Sequence, residues 1–181
     1  MGRPSAEYEI DIRREDGSLA DPEETGRLYI RGTPGLSLFY EYLNDPQATA
    51  DSFDEEGWFD TGDEVVTRAS GEIFLIGRAK DMLKVGGENV AAIEIETVIT
   101  SVEGVTECAV VGKPDEMLDE VPVAFVVADS QSADLSKAIA ETCEQKLSKF
   151  KIPREIRFID ALPTGVLGKT LKRSLRDLLK E

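Results

Sequence analysis

The sequence predicts an α+β chain: a β-rich first part, then a domain with a mixed sheet flanked by helices. Three observations predict it. Short alternating runs of apolar and polar residues, punctuated by Asp16-Gly17, Pro34-Gly35 and Ser70-Gly71, fill the first 78 residues. From residue 79 onward, strand patterns alternate with amphipathic helical patterns. Val121 to Ala128 is almost continuously apolar, as in a strand buried on both faces.

Each element has a local reason. Tyr8, Ile10 and Ile12 fall on one face of a first strand that runs to Arg13, and Leu28 to Arg31 forms a second. Asp45 is placed to cap a short helix with Pro46 at its first position, finished by Thr49 to Phe53. Gly57 to Asp63 reads as a turn carrying the only tryptophan, Trp58. Glu64–Arg68 and Glu72–Gly77 then pair through Ser70-Gly71. In the second part, Met82–Val85 is a strand and Val90–Val102 a helix. Asn89 is its N-cap, Val90, Ile93, Val98 and Ile99 face inward, and Glu94 and Glu96 face outward. Thr106–Val111 is a strand, Lys113-Pro114-Asp115 a turn, and Val121–Ala128 the central strand. Leu135–Leu147 is a helix with Leu135, Ile139, Cys143 and Leu147 inward. Glu155–Ile159 is a strand, Ala161–Gly168 a loop, and Lys169–Lys180 a basic helix.

Two domains follow: residues 1–78, thin in apolar residues and expected to be the β-rich end of a larger, incomplete domain, and residues 79–181, about 100 residues with a core of their own. The orphaned first part implies exposed apolar surface and possible self-association into a homo-oligomer.

Composition narrows the chemistry. The 181 residues are 41% hydrophobic and carry a net charge of −15, which argues against nucleic acid or an anionic membrane as partner. No apolar run is long enough to span a bilayer, and the opening residues enter a strand pattern with no signal-peptide features, so a cytoplasmic location is expected. Cys108, in a strand pattern, and Cys143, in a helix, are expected to be reduced thiols. The absence of histidine removes His-dependent acid–base and triad chemistry, and no metal site is expected within the chain.

Three stretches could carry chemistry. Thr61-Gly62-Asp63 presents one carboxylate after a glycine, suited to gripping paired hydroxyls, though an ordinary turn fits too. Arg78, Lys80 and Lys84 surround Gly86-Gly87 at the change of architecture. Arg78 offers a forked donor for phosphate or ribose, and solvated surface cations are the alternative. In Gly165-Val166-Leu167-Gly168-Lys169, Gly168 admits close backbone approach and Lys169 could reach an anion. Its glycine spacing is too short for a phosphate-cradling P-loop.

In order, these stretches resemble the C-terminal motifs of the adenylate-forming superfamily. They are Gly57-Trp-Phe-Asp-Thr-Gly-Asp63, then Gly77-Arg-x-Lys-Asp-x-x-Lys-x-Gly-Gly-Glu-Asn-Val-x-x-x-Glu-Ile-Glu96, then Leu162-Pro-x-x-x-x-Gly-Lys-x-x-x-Arg173. The resemblance covers essentially the whole chain. Its Lys-Val-Gly-Gly-Glu-Asn-Val version is most similar to the acyl-CoA synthetases, AMP-dependent CoA ligases. Gly32-Thr-Pro-Gly35 followed by Phe39-Tyr-Glu-Tyr42 resembles the carnitine/crotonobetaine branch.

The resemblance implies the C-terminal portion of a ligase that joins a carboxylic acid to CoA through an acyl-AMP, within fatty acid or related acid metabolism. It implies that Asp63 binds ribose hydroxyls, that Arg78 holds the ribose and phosphate region, and that Lys80 is the hinge. By the same resemblance Lys169 acts in adenylation. Gly86 and Gly87 then line the thiol's entry path, Lys84 swings toward the site, and Asn89 is counted with them among the cofactor-binding residues. ATP/AMP, CoA and Mg²⁺ are the implied ligands, the metal bound mainly by a preceding region. The family's phosphate loop has no counterpart in this sequence and its acyl pocket is formed mostly by a preceding region, so the chain alone is expected to be inactive. Two other readings stay open: a stand-alone partner-binding domain, and part of a carrier-protein adenylation enzyme.

Overall fold

A computed structural model describes residues 2–165 and 168–180, and its packing divides the chain into two units, residues 1–80 and 81–181. In unit 1, strands β1 (Glu9–Arg13), β2 (Thr25–Arg31), β3 (Phe59–Thr67) and β4 (Ile73–Arg78) form an antiparallel sheet in chain order. One residue from each strand meets in the core: Ile12, Leu28, Val65 and Ile73. Helix α1 (Pro46–Ser52) starts where the sequence places it, with the Asp45 carboxylate accepting from the Ala48 N–H at 2.9 Å. Beside it Phe39, Tyr42, Phe53 and Phe59 form a second apolar cluster, with ring centroids 4.9 to 5.4 Å apart.

Residues 57–63 depart from expectation. Gly57 does turn the chain, but β3 begins at Phe59, so the Phe59–Asp63 stretch is strand. The reason is Gly62. Its φ of +78° and the register shifts beside it, on both β2 and β4, make a bulge inside a continuing strand.

Unit 2 is built on β7 (Val105–Asp115) and β8 (Asp119–Ala128), paired antiparallel along nearly their full lengths. A short hairpin, β5 (Met82–Val85) and β6 (Glu88–Ala91), joins β8, and β9 (Glu155–Phe158) runs parallel to β8, which makes the sheet mixed. Helices α2 (Ala92–Thr100) and α3 (Ala133–Lys146) cover one face, where Ile95, Ile99, Val110, Ala124, Val126, Ile139 and Cys143 are buried. The other face packs Val111, Val123 and Phe125 against Leu162 and against Leu175 of α4 (Lys172–Asp177). Alternate residues of one strand thus enter different cores, which explains the unbroken apolar run of β8.

Four expectations are corrected here. Val90 lies in β6, paired with Leu83, and the helix begins at Ala92 after Ala91 as N-cap, so Asn89 is no cap. A tight glycine turn returns the chain as a strand before the helix can start. The later start rotates the inward face to Ala92, Ile95 and Ile99, and leaves Ile93 45% exposed. Glu96 does not face solvent: its Oε1 accepts from the Val110 N–H at 2.8 Å and meets Lys172 Nζ at 2.7 Å. Lys113-Pro114-Asp115 is the end of β7, because the Asp115 carboxylate folds the next turn by accepting from the Met117 and Leu118 N–H groups, both at 3.0 Å. The final helix is confined to Lys172–Asp177, since the preceding segment is held by loop hydrogen bonds.

Candidate functional site

The bulge at Gly62 sets the first group. Gly62 N–H is held by Asp60 Oδ1 at 2.9 Å, and Asp63 N–H by Thr61 Oγ1 at 3.1 Å. Thr61 Oγ1 in turn donates to Leu28 O at 2.9 Å. Asp63 is thereby aimed at Arg78, its register partner on β4, with Arg78 Nε 2.8 Å from Asp63 Oδ1. The Asp63 side chain is 20% exposed and that of Arg78 49%, so the pair has a sheltered acceptor and an accessible donor. The fork of Arg27 fixes Asp60 at 2.7 and 3.0 Å. Burial acts to raise the Asp60 carboxyl, but the Arg27 bonds, the Gly62 N–H and the Arg27 charge outweigh it and hold the group below the usual carboxylate range. Neighbouring Glu64 is pushed up, chiefly by burial.

Lys80 falls in a single 3₁₀ turn, Ala79–Asp81, and is the last residue of unit 1. Within unit 2, Gly86 and Gly87 have φ of +59° and +84° and form the two-residue turn of the β5–β6 hairpin. Both central residues need the left-handed region, where glycine is unstrained. Lys84 and Asn89 are register partners across this hairpin, both exposed, so their side chains share one face. Next to the hairpin, the tip of β7 and β8 walls a cavity of about 670 Å³ lined by Lys113, Met117, Leu118, Val121, Arg154 and Glu155 among others.

Lys169 is exposed on a separate loop of unit 2. That loop is closed by Gly165 N–H to Lys169 O at 2.9 Å, Leu171 N–H to Pro163 O at 2.7 Å and a bridge between Thr164 and Thr170. Gly168 has φ of +72°, as its place before Lys169 suggests. Val166 and Leu167 of this motif lie outside the described residues. The structure therefore joins Asp63 to Arg78 and gathers Lys84, Gly86, Gly87 and Asn89 on one hairpin, while Lys169 stands on its own loop. Sequence reasoning missed Glu120 and Gly112, which bear on the hairpin. A glycine inside an apolar strand was the available signal.

Both cysteines are free thiols, Cys143 buried and Cys108 half-buried. Burial, with Glu96 and Cys143 adding and Lys172 opposing, pushes the Cys108 thiol up to about 12. An acid whose folded pKa is raised keeps its proton while the unfolded chain loses it. Stability should therefore fall as pH rises from the ordinary thiol range, near 9, toward 12. The same shift leaves roughly one thiol in 10⁴ ionised at pH 8. Iodoacetamide at that pH should label Cys108 only after denaturation, as read by intact mass. Among the described residues no group of three or more Cys, Asp or Glu side chains stands ready to hold a metal, and no helix is long and apolar enough to cross a membrane.

Residues 94–169 match the family described as AMP-binding enzyme C-terminal domain. Over these residues the chain is similar to the C-terminal domain of AMP-binding enzymes. Its relatives are acyl-CoA ligases. It is 36% identical to the crotonobetaine/carnitine–CoA ligase of Proteus mirabilis over 176 residues, 97% of this chain and 34% of that protein. It is 40% identical to the long-chain-fatty-acid–CoA ligase FadD13 of Mycobacterium tuberculosis over the same shares. Among solved structures, the anthranilate CoA ligase AuaEII in complex with anthranoyl-AMP matches with a TM-score of 0.87 and 30% identity, over 98% of this chain and 34% of that one. ATP-bound MatB from Rhodopseudomonas palustris matches with a TM-score of 0.86 and 30% identity, over 99% and 35%. The chain spans about a third of the length of the relatives it matches.

Proposed function

We propose that this chain works as the C-terminal portion of an AMP-forming carboxylate–CoA ligase: acid and ATP give acyl-AMP and pyrophosphate, and the CoA thiol then displaces AMP to give the thioester. The observation that carries the reading is the Asp63–Arg78 pair, set on facing strands by a glycine bulge in a chain whose relatives are acyl-CoA ligases. An ionised carboxylate accepts from two hydroxyls at once, which suits a ribose diol, and the exposed edge of Arg78 remains free to meet a phosphate.

The remaining roles follow from chemistry and position. Negative charge gathers where a carboxylate attacks the α-phosphorus, and the exposed ammonium of Lys169 neutralises it without a proton transfer. Lys80, at the boundary between the units, is the pivot that exchanges one face of residues 81–181 for another between the two half-reactions. After that exchange Gly86-Gly87 leave room for the thiol's arm, with Lys84 and Asn89 on the adjoining face. Residues 1–78 are then the end of a larger N-terminal domain and residues 79–181 a mobile C-terminal one. Mg²⁺ finds no set of three or more carboxylate ligands among the described residues. A cytoplasmic location and a fatty acid or similar small carboxylic acid as substrate belong to the same reading.

Incubation of the chain with ATP, magnesium, CoA and a panel of carboxylic acids tests the division of labour. No AMP release is expected, because its sequence holds no phosphate-cradling glycine loop. Measurable AMP release would overturn the reading of the chain as one part of a ligase.

A further inference from the structure

In backbone pairing the β5–β6 hairpin meets β8 at one register pair, Val85 with Asp119. The strands of the hairpin are anchored by Leu83, Val85 and Val90, buried in the core, while the two-glycine turn itself carries no side chain to pack. Two further hydrogen bonds, both from the tip of β7 and β8, secure it. Leu118 O accepts from the Gly86 N–H at 2.9 Å, and Glu120 Oε2 accepts from the Lys84 N–H at 3.0 Å. The tip is itself rigidly formed. Asp115 caps it with two hydrogen bonds, Asp119 takes a left-handed φ of +62°, and Glu120 N–H bonds Leu118 O at 2.7 Å. Gly112 completes the arrangement. A Cβ at that position would stand 2.6 Å from Glu120 Cδ and Oε1 and 2.8 Å from Oε2, so only glycine leaves the carboxylate where it meets Lys84. Gly112 itself is buried in β7 with a negative φ, so its need is for space and not for conformation.

We infer that Glu120 is a positioning residue for the Gly86-Gly87 turn, seated by the gap that Gly112 leaves and acting together with Leu118 O. Resting on the ligase reading above, this makes Glu120 a determinant of the thiol half-reaction, though it touches no reacting atom. Backbone amides are the group being held, so a neutral acceptor of the same shape should serve nearly as well as the carboxylate.

Two measurements test this. In the 181-residue chain, amide hydrogen exchange at Lys84 and Gly86 should speed up about tenfold or more in Glu120→Ala and in Gly112→Ala, with the β8 amides Val123–Val126 unchanged. Glu120→Gln should restore the slow rate. In a full-length ligase carrying this chain, Glu120→Ala should lower thioester formation from supplied acyl-AMP about tenfold and leave acyl-AMP formation unchanged, again with rescue by Glu120→Gln. Unchanged exchange at Lys84 and Gly86 in Glu120→Ala overturns the inference whatever the enzyme does, and so does an equal fall in both half-reactions. Faster exchange with both half-reactions intact supports the positioning role and instead removes the glycine turn from the thiol step. Glu120→Ala keeps the test open should Gly112→Ala fail to fold.

Discussion

Replacing Lys169 by Ala in a full-length ligase that carries this chain is expected to collapse acyl-AMP formation by about 10² to 10³-fold while thioester formation from supplied acyl-AMP survives. The size follows from losing one aimed charge at the point where negative charge develops, the scale found for a single transition-state donor. The asymmetry follows from geometry. Lys169 stands on a loop closed by its own backbone bonds, apart from the hairpin of Gly86 and Gly87, so its loss leaves the hairpin's support intact. The two half-reactions must be followed separately, by pyrophosphate release and by thioester formation. If both survive, Lys169 is an ordinary surface lysine and the proposed adenylation chemistry is wrong for this chain.

The largest stability effect is expected from Phe125→Ala. Phe125 is 1% exposed, among the largest fully buried side chains, and sits in the face of β8 shared with Ala109, Val111, Leu162 and Leu175. Truncation removes a ring and leaves a cavity between two strands and a short terminal helix, which costs about 3 to 5 kcal/mol. For a domain of about 100 residues that is a large part of the total stability. Urea unfolding followed by far-ultraviolet circular dichroism should show the midpoint of the unit 2 transition falling sharply. Trp58, the only tryptophan, lies in unit 1 and offers a second signal from the other part of the chain. A loss under about 1 kcal/mol would mean that the C-terminal segment packs against β8 less tightly than the burial of Leu175 implies.

The sequence made the α+β class, the cap at Asp45, the two-sided burial of β8 and the inward face of α3 legible, because each rests on a local pattern: a capping side chain, an unbroken apolar run, a helical period. It misplaced what depends on neighbours distant in the chain. Val90 has the spacing of a helix start, yet Leu83 claims it for a strand. Glu96 looks like a solvent-facing charge until Lys172, 76 positions later, and the Val110 N–H turn it inward. The stretch after Trp58 reads as a turn because Gly62 is a strong turn residue, and only pairing with β2 and β4 shows a bulge in a strand. At the candidate site, Asp63, Arg78 and the glycine pair were legible as residue types at informative spacing. Glu120 was not, because its role comes from a gap opposite it on another strand.

The two faces of the β7–β8 pair are covered by different parts of the chain, and this orders events during synthesis. Helices α2 and α3 come from residues near those strands, so one face can close while translation continues. The other face waits for Leu162 and Leu175. Until those residues emerge, Val111, Val123 and Phe125 form an open apolar strip on a well-formed sheet, the kind of surface that chaperones hold and nascent chains stick by. A premature stop before Leu162 would leave that strip bare, and one between Leu162 and Leu175 would leave it only partly covered. Quality control should therefore recognise such truncated products far more readily than the intact chain.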